Sequence, residues 1–257
     1  MTNVAGKPLS ARSLVDSTFE KGNPMGHTHA HSAHDRHGSN ESGAAEPGAL
    51  IHWPRRYDLM AAVMFAGRGR RFRGYVADLL GVDRGDRVLD VGCGTGTLTL
   101  VLAGRAGPQG AVTGVDAAPE MIAAAQAKAG AKKGAPTFQV APAQDLPFAD
   151  GSFDAVSSSL LIHHLPEADR VGAIREMLRV LRPGGRLLIV EFQAPRSRAG
   201  KRVTRHLFGH AMADNTIDEV AAVAAVAEVA GAAGVACHPS GVGWLGLITA
   251  SRQPAAG

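Results

Sequence analysis

The sequence is poor in cysteine and in long apolar runs, and each shortage excludes a class of protein. Among its 257 residues only Cys93 and Cys237 are cysteines, which excludes a disulfide framework and favours a reducing compartment. No apolar run approaches the roughly 18 residues of a membrane-spanning helix, and Met1 to Ser10 lack the apolar core of a signal peptide. We therefore expect a cytoplasmic protein without a membrane span.

Neither positive nor negative charge is in large excess, because the formal net charge is only +4. The basic run 68–73, Arg-Gly-Arg-Arg-Phe-Arg, is the main local excess. Such a run is typical of a solvated helix face, and no nucleic-acid recognition motif accompanies it. We expect no nucleic-acid partner.

Residues 1–50 have few large apolar side chains and many Gly, Ser, Asn, His and Pro. Such a segment cannot bury enough surface to offset its ordering entropy, so we expect a flexible tail before a domain at 51–257. The tail carries a histidine cluster that could bind Zn, Ni or Cu: His27, His29, His31, His34 and His37. We favour the alternative of a solvated tail that binds metal only adventitiously, since no closed zinc-ligand pattern is present.

Residues 88–96, Val-Leu-Asp-Val-Gly-Cys-Gly-Thr-Gly, are the most informative part of the chain. An apolar run, alternate glycines and an apolar periodic stretch predict a buried parallel strand, a tight turn and a helix. Glycine tolerates positive φ and has no Cβ to block a ligand lying on the backbone. The helix N-terminus is expected to offer free N–H groups to an anionic ligand group.

The spacing Gly92-x-Gly94-x-Gly96 differs from the dinucleotide fingerprint, which would place its last glycine at Thr97. Asp90, at the carboxyl end of the strand, suits a ligand ammonium better than a pyrophosphate. This pattern resembles motif I of class I S-adenosylmethionine (SAM)-dependent methyltransferases. The resemblance implies that the turn holds the methionine part of the cofactor.

Asp116 ends the next predicted strand. A ribose-binding acid is expected about 20 residues after the glycine turn, and Asp116 can accept hydrogen bonds from both ribose hydroxyls. The alternative is a helix N-cap before Pro119. The resemblance also implies cofactor contacts for Ala117 and Met121.

Residues 143–154, Ala-Gln-Asp-Leu-Pro-Phe-Ala-Asp-Gly-Ser-Phe-Asp, resemble the adenine-side loop of the ubiquinone/menaquinone-type (type 11) methyltransferases. The resemblance places Ala143, Gln144 and, at the next strand end, Ser159 at the cofactor. One position departs from the subfamily, since Pro142 stands where an acid usually binds the adenine amino group. Gln144, Asp145 or a backbone carbonyl would have to replace that acid.

The resemblance continues through 153–165 and 175–191, so that four motifs follow in the family's order over about 86–192. It implies an α/β fold, a doubly wound, mostly parallel seven-stranded sheet that ends in an antiparallel hairpin. The alternating pattern itself predicts a parallel sheet with helices on both faces. We expect strands near 86–91, 111–115, 136–140, 153–158 and 185–191, helices near 96–104, 119–130, 167–181 and 220–233, and two short strands between 235 and 252.

The same resemblance implies roles for two further segments. N-terminal helices at 51–82 would cover the cofactor, with Tyr57 as the aromatic contact, although packing against the sheet is an equal alternative for Tyr57. The basic, partly apolar segment 195–216 would form the substrate lid.

Methyl transfer needs an acceptor aligned with the sulfonium and water excluded. His163 and His164 follow the fourth strand, and histidine is a suitable proton acceptor. Glu191, at the end of the fifth strand, is a second candidate base, and packing is the alternative role for all three. We expect SAM-dependent methylation of a small-molecule acceptor, a quinone, a phenol or a secondary metabolite. An NAD(P)-dependent oxidoreductase and a non-enzymatic SAM- or metal-binding protein are the alternatives.

Overall fold

The computed structural model describes Asp58, Phe65 and residues 67–130, 134–193 and 219–254. They lie within one compact unit, Glu46–Gly257. The His-rich tail, Tyr57, most of the cap segment 51–82 before residue 67, and the lid segment 195–216 lie outside the described residues. The predictions made for those parts stay predictions.

Most described elements alternate between strand and helix, and one strand directly follows another in two places, within residues 137–159 and 233–251. In chain order they are α1 Gly69–Leu80, β1 Arg87–Val91, α2 Thr97–Ala106, β2 Ala111–Asp116, α3 Pro119–Ala129, β3 Thr137–Val140, β4 Phe153–Ser159, a 3₁₀ turn Ile162–His164, α4 Glu167–Val180, β5 Leu181–Phe192, α5 Glu219–Ala230, β6 Ala233–Pro239 and β7 Leu245–Ser251.

The strands form one seven-stranded sheet in the order β3-β2-β1-β4-β5-β7-β6. The first five are parallel, whereas β7 is antiparallel to both β5 and β6. This confirms the expected mostly parallel sheet with a C-terminal antiparallel hairpin. The strand order reverses direction at β1 and β4, and ligands of open α/β sheets bind at such a switch point, outside the carboxyl ends of the strands.

Each face of the sheet buries its own apolar cluster. On one face, α4 and α5 contribute Ile174, Met177 and Val223. On the other, α1 and α2 contribute Val76 and Leu102. The central strands are therefore covered on both sides, which explains their nearly continuous apolar sequences.

The predicted element boundaries agree with the structure to within a few residues, except at β5. The strand expected near 185–191 already begins at Leu181, so the Pro-Gly-Gly segment 183–185 lies within β5. Its pairing with β4 shifts register between Phe153 and Ala155, so the irregular segment is absorbed into the strand as a bulge. Among the described residues, none of the helices has both the length and the apolar character to cross a bilayer.

Candidate active site

The turn between β1 and α2 is built on glycines in the left-handed conformation. Gly92, Gly94 and Gly96 have φ of 71°, 54° and 75°. Residues with a Cβ rarely adopt such values. The three alternate glycines therefore allow the chain to turn sharply from β1 into α2, which begins at Thr97.

Most backbone N–H groups of this turn are already bonded within the protein. Those of Gly92 and Cys93 donate to the carbonyl of Val115 at 2.8 and 2.9 Å, and that of Gly96 donates to Cys93 at 2.9 Å. The N–H of Gly94 donates to Asp116. The turn itself therefore has few free donors, and the anion contact expected at the N-terminus of α2 stays a prediction.

Side chains pack closely behind two of the glycines. A Cβ on Gly92 would lie 2.9 Å from the Leu161 side chain, and one on Gly96 would lie 2.8 Å from the Phe138 ring. Phe138 belongs to a small apolar cluster with Cys93 and Ala125. Burial raises the pKa of the Cys93 thiol far above its usual value, so Cys93 serves here as an apolar side chain rather than as a nucleophile.

Asp116 faces the glycine turn from the end of β2. One carboxylate oxygen accepts the N–H of Gly94 and the other accepts the N–H of Ala118, each at 2.9 Å. Burial raises the pKa of Asp116, and the two N–H donors oppose that effect. Each carboxylate oxygen can accept about two hydrogen bonds, so the partly exposed group retains capacity for ribose hydroxyls. The N-cap alternative is not favoured, since the N-cap of α3 is Ala118.

Asp90 is more deeply placed than the sequence suggested, with 1% of its surface exposed. Its two oxygens accept hydrogen bonds from the hydroxyls of Thr99 and Ser157, both at 2.7 Å. Burial raises its pKa to about 6, and the hydroxyl donors counteract part of that shift. These bonds tie α2 and β4 to β1 beneath the turn, while the predicted contact with a ligand ammonium stays a prediction.

A second cluster lies where β4 and β5 end. Nδ1 of His163 is 2.8 Å from Oε2 of Glu191, and Oε1 of Glu191 accepts the N–H of Ile162 at 2.8 Å. The Glu191 side chain is fully buried, whereas that of His163 keeps 18% of its surface. A carboxylate can only accept, so in the neutral ring Nδ1 carries the proton and Nε2 keeps its lone pair. This is the arrangement of an oriented general base.

His164 differs from its neighbour although their ring centroids are 4.0 Å apart. Burial lowers the pKa of His164, the adjacent His163 adds to that effect, and Glu191 opposes it. The ring of His163 also meets Phe192 edge to face at 4.9 Å, and Phe192 lies 6.0 Å from Trp244. The rings of Phe192 and Trp244 therefore form an aromatic surface next to His163, the histidine that Glu191 orients.

The glycine turn and the His163–Glu191 pair belong to one site because the segment after β4 connects them. Leu160 has a φ of 57°, an uncommon value for a residue with a large side chain. Its N–H donates to Val190 of β5 at 2.9 Å. The chain then passes Leu161 over Gly92 before it reaches His163, so the candidate base lies two residues from the side chain that packs on the turn.

Comparison with known proteins agrees with this geometry. A family model described as a methyltransferase domain matches residues 88–185. A ubiquinone/menaquinone biosynthesis C-methyltransferase of Geobacter sulfurreducens is 38% identical over 60% of this chain and 60% of its own length. One from Pseudomonas paraeruginosa is 40% identical over 55% of this chain and 56% of its own.

The match over residues 88–185 and the C-methyltransferase relatives support a class I SAM-dependent methyltransferase. The chain spans about 60% of the length of the curated relatives that it matches. A SAM-dependent methyltransferase of Aquifex aeolicus has the same fold, with a TM-score of 0.58 at 21% identity over 77% of this chain and 97% of the other. A phosphoethanolamine N-methyltransferase of Haemonchus contortus also has a TM-score of 0.58, at 18% identity over 76% of this chain and 56% of the other.

The remaining cofactor residues predicted for this methyltransferase domain are distributed along the same edge. Ala117 is exposed after β2, Met121 is buried in α3, and Ser159 is half-buried as the last residue of β4. Ala143 is buried after β3, and Gln144 donates to Asp169 of α4 at 3.3 Å. The cofactor contacts of these five residues stay predictions.

Sequence reasoning missed the residues that hold the loop 143–154. Arg179 of α4 donates to the carbonyls of Leu146 and Phe148 at 2.9 and 2.7 Å, and Glu176 accepts the N–H of Leu146 at 3.0 Å. Arg179 and Glu176 also pair with each other. Both lie in the Arg-Glu-Met-Leu-Arg stretch 175–179 that carried the resemblance, but spacing alone did not show that they reach back to the loop.

Among the residues that the structure describes, no three His, Cys, Asp or Glu side chains are grouped so as to hold a metal ion. The histidine cluster of the tail lies outside them.

Proposed function

We propose that this protein transfers a methyl group from SAM to a ring carbon of a hydroxylated aromatic acceptor of the quinol or phenol type. The observation that carries the proposal is the contact of Leu161 with Gly92, because it brings the His163–Glu191 pair to the glycine turn. Support for the acceptor class comes from the C-methyltransferase relatives and from the aromatic surface beside His163.

The residues at the turn fit an aminoacyl nucleoside better than a dinucleotide. Asp116 retains acceptor capacity for two ribose hydroxyls, and no positive side chain among the described turn residues is free to neutralise a pyrophosphate. The glycines would allow the methionine part to lie on the backbone between Gly92 and Gly96. Ala117, Met121, Ala143 and Gln144 would bound the adenine.

When bound, SAM supplies a methyl group on a positively charged sulfur that leaves as a neutral thioether. The protein's own part is to orient the acceptor and to accept a proton from it. Nε2 of His163 would remove the proton of a ring hydroxyl, so that negative charge spreads to the ring carbon that takes the methyl group, while the electrons of the carbon–sulfur bond stay with the thioether. The methylated carbon would then release its own hydrogen as a proton to water, which restores the aromatic ring. Glu191 would stabilise the resulting imidazolium, and general-base catalysis of this kind contributes about 10²- to 10⁴-fold.

Phe192 and Trp244 would provide flat apolar surface for the acceptor ring next to this base. Aromatic pairs prefer offset or edge-on contact at about 4.5–7 Å, the range in which His163, Phe192 and Trp244 already lie. The ring of the acceptor would extend this series.

The test combines binding with product analysis. Isothermal titration with S-adenosylhomocysteine measures cofactor binding, and turnover with SAM is then followed over a panel of naphthoquinols, phenols, amines and thiols. Mass spectrometry and NMR locate the methyl group. A methyl on a ring carbon supports the proposal, one on oxygen, nitrogen or sulfur contradicts the acceptor assignment, and NAD(H) binding without S-adenosylhomocysteine binding contradicts the whole proposal.

A further inference from the structure

A polar cluster lies against the outer side of the glycine turn and has no part in the chemistry proposed above. It consists of Asp58, Thr95, Thr97 and Lys128. Thr95 donates its hydroxyl to Asp58 at 2.6 Å. The ammonium of Lys128 lies 2.9 Å from one carboxylate oxygen of Asp58, 2.8 Å from the Thr95 hydroxyl and 3.0 Å from the Thr97 hydroxyl.

The hydrogen bonds of this cluster are complementary. A lysine ammonium has three donors and no acceptor, and here it meets a carboxylate and two hydroxyl oxygens. Thr95 is 2% exposed, so the ion pair closes over a buried hydroxyl. Hydrogen bonds to charged groups are stronger than neutral ones, although the side chains of Lys128 and Asp58 keep 31% and 43% of their surface and are partly screened by solvent.

The cluster joins three parts of the chain that are distant in sequence. Thr95 and Thr97 belong to the turn and the first residue of α2, and Lys128 lies in the last turn of α3. Asp58 precedes Thr95 by 37 positions and Lys128 by 70. A side-chain link of this kind limits the movement of the turn relative to α3.

The glycine turn needs such an external restraint because glycines have the largest conformational freedom of all residues. On its inner side, the backbone N–H groups of the turn donate to the Val115 carbonyl and the Asp116 carboxylate. Without the outer contacts, Thr95 would be held only through the backbone of its neighbours. The turn would then have to become ordered when a ligand binds, and the entropy lost in that ordering would weaken binding. A turn that is already held in its binding conformation avoids most of this cost.

We propose that Asp58 and Lys128 are positioning residues that hold the glycine turn in its cofactor-binding conformation, so that cofactor affinity depends on their ion pair and on ionic strength. The inference rests on the proposed function, because it assumes that the cofactor binds at this turn. Neither residue touches the reacting atoms in this scheme, so binding rather than the chemical step is affected.

The experiment compares Lys128→Met, Asp58→Asn and the double variant with the wild-type full chain. Titration with S-adenosylhomocysteine is expected to give a Kd about five- to tenfold higher for each single variant. The double variant should be no weaker than either, because both changes break one interaction. The KM for SAM should rise while kcat changes less than about twofold, and Lys128→Arg should recover part of the affinity.

The matched control is Arg105→Met, which breaks the surface ion pair of Arg105 with Asp78 at 2.7 Å. It should leave Kd unchanged, and thermal unfolding shows whether Lys128→Met loses more stability than this control does. In the wild type, raising salt from about 0.05 to 0.5 M should weaken binding more than in Lys128→Met, because screening weakens an exposed ion pair.

The outcomes separate the two proposals. If Asp116→Ala abolishes binding of S-adenosylhomocysteine while Lys128→Met and Asp58→Asn bind like the wild type, only the positioning role is overturned. Additive losses in the double variant also overturn it. If the wild type itself fails to bind S-adenosylhomocysteine, the proposed function is overturned as well.

Discussion

Glu191 uses one carboxylate oxygen for Nδ1 of His163 and the other for the N–H of Ile162, both at 2.8 Å. The same buried side chain thus fixes the imidazole and the backbone of the 3₁₀ turn that carries it. Because both oxygens of Glu191 are bonded in this way, the imidazole ring of His163 has little freedom to rotate. The orientation of His163 is therefore set by β5 rather than by the segment in which His163 lies.

This arrangement predicts different effects for the three candidate catalytic residues. We expect His163→Asn to lower kcat about 100-fold and Glu191→Gln about tenfold, since the first removes the base and the second removes the charge that stabilises it. His164→Asn should change kcat less than about fivefold. Steady-state kinetics on a methylated acceptor measure these effects.

Affinity for S-adenosylhomocysteine is the internal control for those variants and should stay near the wild-type value. A loss of kcat in His164→Asn as large as that in His163→Asn would contradict the assignment of His163 as the base.

Asp116 should affect both cofactor affinity and stability. In Asp116→Asn the amide group replaces one acceptor, so either the N–H of Gly94 or that of Ala118 loses its partner. We expect the Kd for S-adenosylhomocysteine to rise at least about tenfold and the free energy of unfolding to fall by about 1–3 kcal/mol. Isothermal titration and urea unfolding provide the two measurements.

The matched control for Asp116 is Asp154→Asn. Asp154 likewise accepts a backbone N–H, that of Arg87 at 2.8 Å, but lies near the amino end of β4, at the opposite edge of the sheet. It should lose stability without changing the Kd, and an equal effect of both variants on Kd would count against Asp116 as a cofactor ligand.

The close packing behind Gly96 predicts a larger cost for alanine there than at a glycine with the same backbone. Gly96 and Gly184 have φ of 75° and 71°, but a Cβ would meet Phe138 at 2.8 Å in the first and nothing within 4 Å in the second. Gly184→Ala should cost about 1 kcal/mol from the left-handed conformation alone. Gly96→Ala should cost about 2 kcal/mol more, since overpacking adds to the strain.

Urea unfolding of the two glycine variants measures the difference directly. Equal free energies of unfolding would show that Phe138 moves aside at little cost.

The raised pKa of Asp90 predicts that the stability of the protein depends on pH. Its pKa is about 6 in the folded protein against an ordinary 3.8, so between pH 4 and 6 the folded state binds more protons than the unfolded state. Stability therefore falls as pH rises through this window. The contribution at pH 7 is on the order of 3 kcal/mol unfavourable.

Subtracting wild type from Asp90→Asn isolates this group, because the other titrating residues are common to both. The free energy of unfolding of Asp90→Asn relative to wild type should increase between pH 4 and 7 in urea experiments. A constant difference across that range would mean that Asp90 titrates near its ordinary pKa.

Much of the architecture could be predicted from the sequence because it depends on local patterns. Apolar runs that alternate with helical periodicity predicted the strands and helices of the parallel part, and alternate glycines after β1 predicted the left-handed turn. β5 was predicted to begin four residues too late, since the Pro-Gly-Gly segment has the composition of a turn but is held in the sheet by its pairing partners.

The sequence by itself determined the order of the elements, the position of the glycine turn and the placement of an acid at the end of β2, because residue type and spacing act over a few neighbouring residues. Only the tertiary structure decided which distant side chains meet. His163 with Glu191, Ser157 with Asp90 and Lys128 with Asp58 are 28, 67 and 70 positions apart. Such contacts depend on strand order and helix packing, which bring these groups to hydrogen-bonding distance at the carboxyl edge of the sheet.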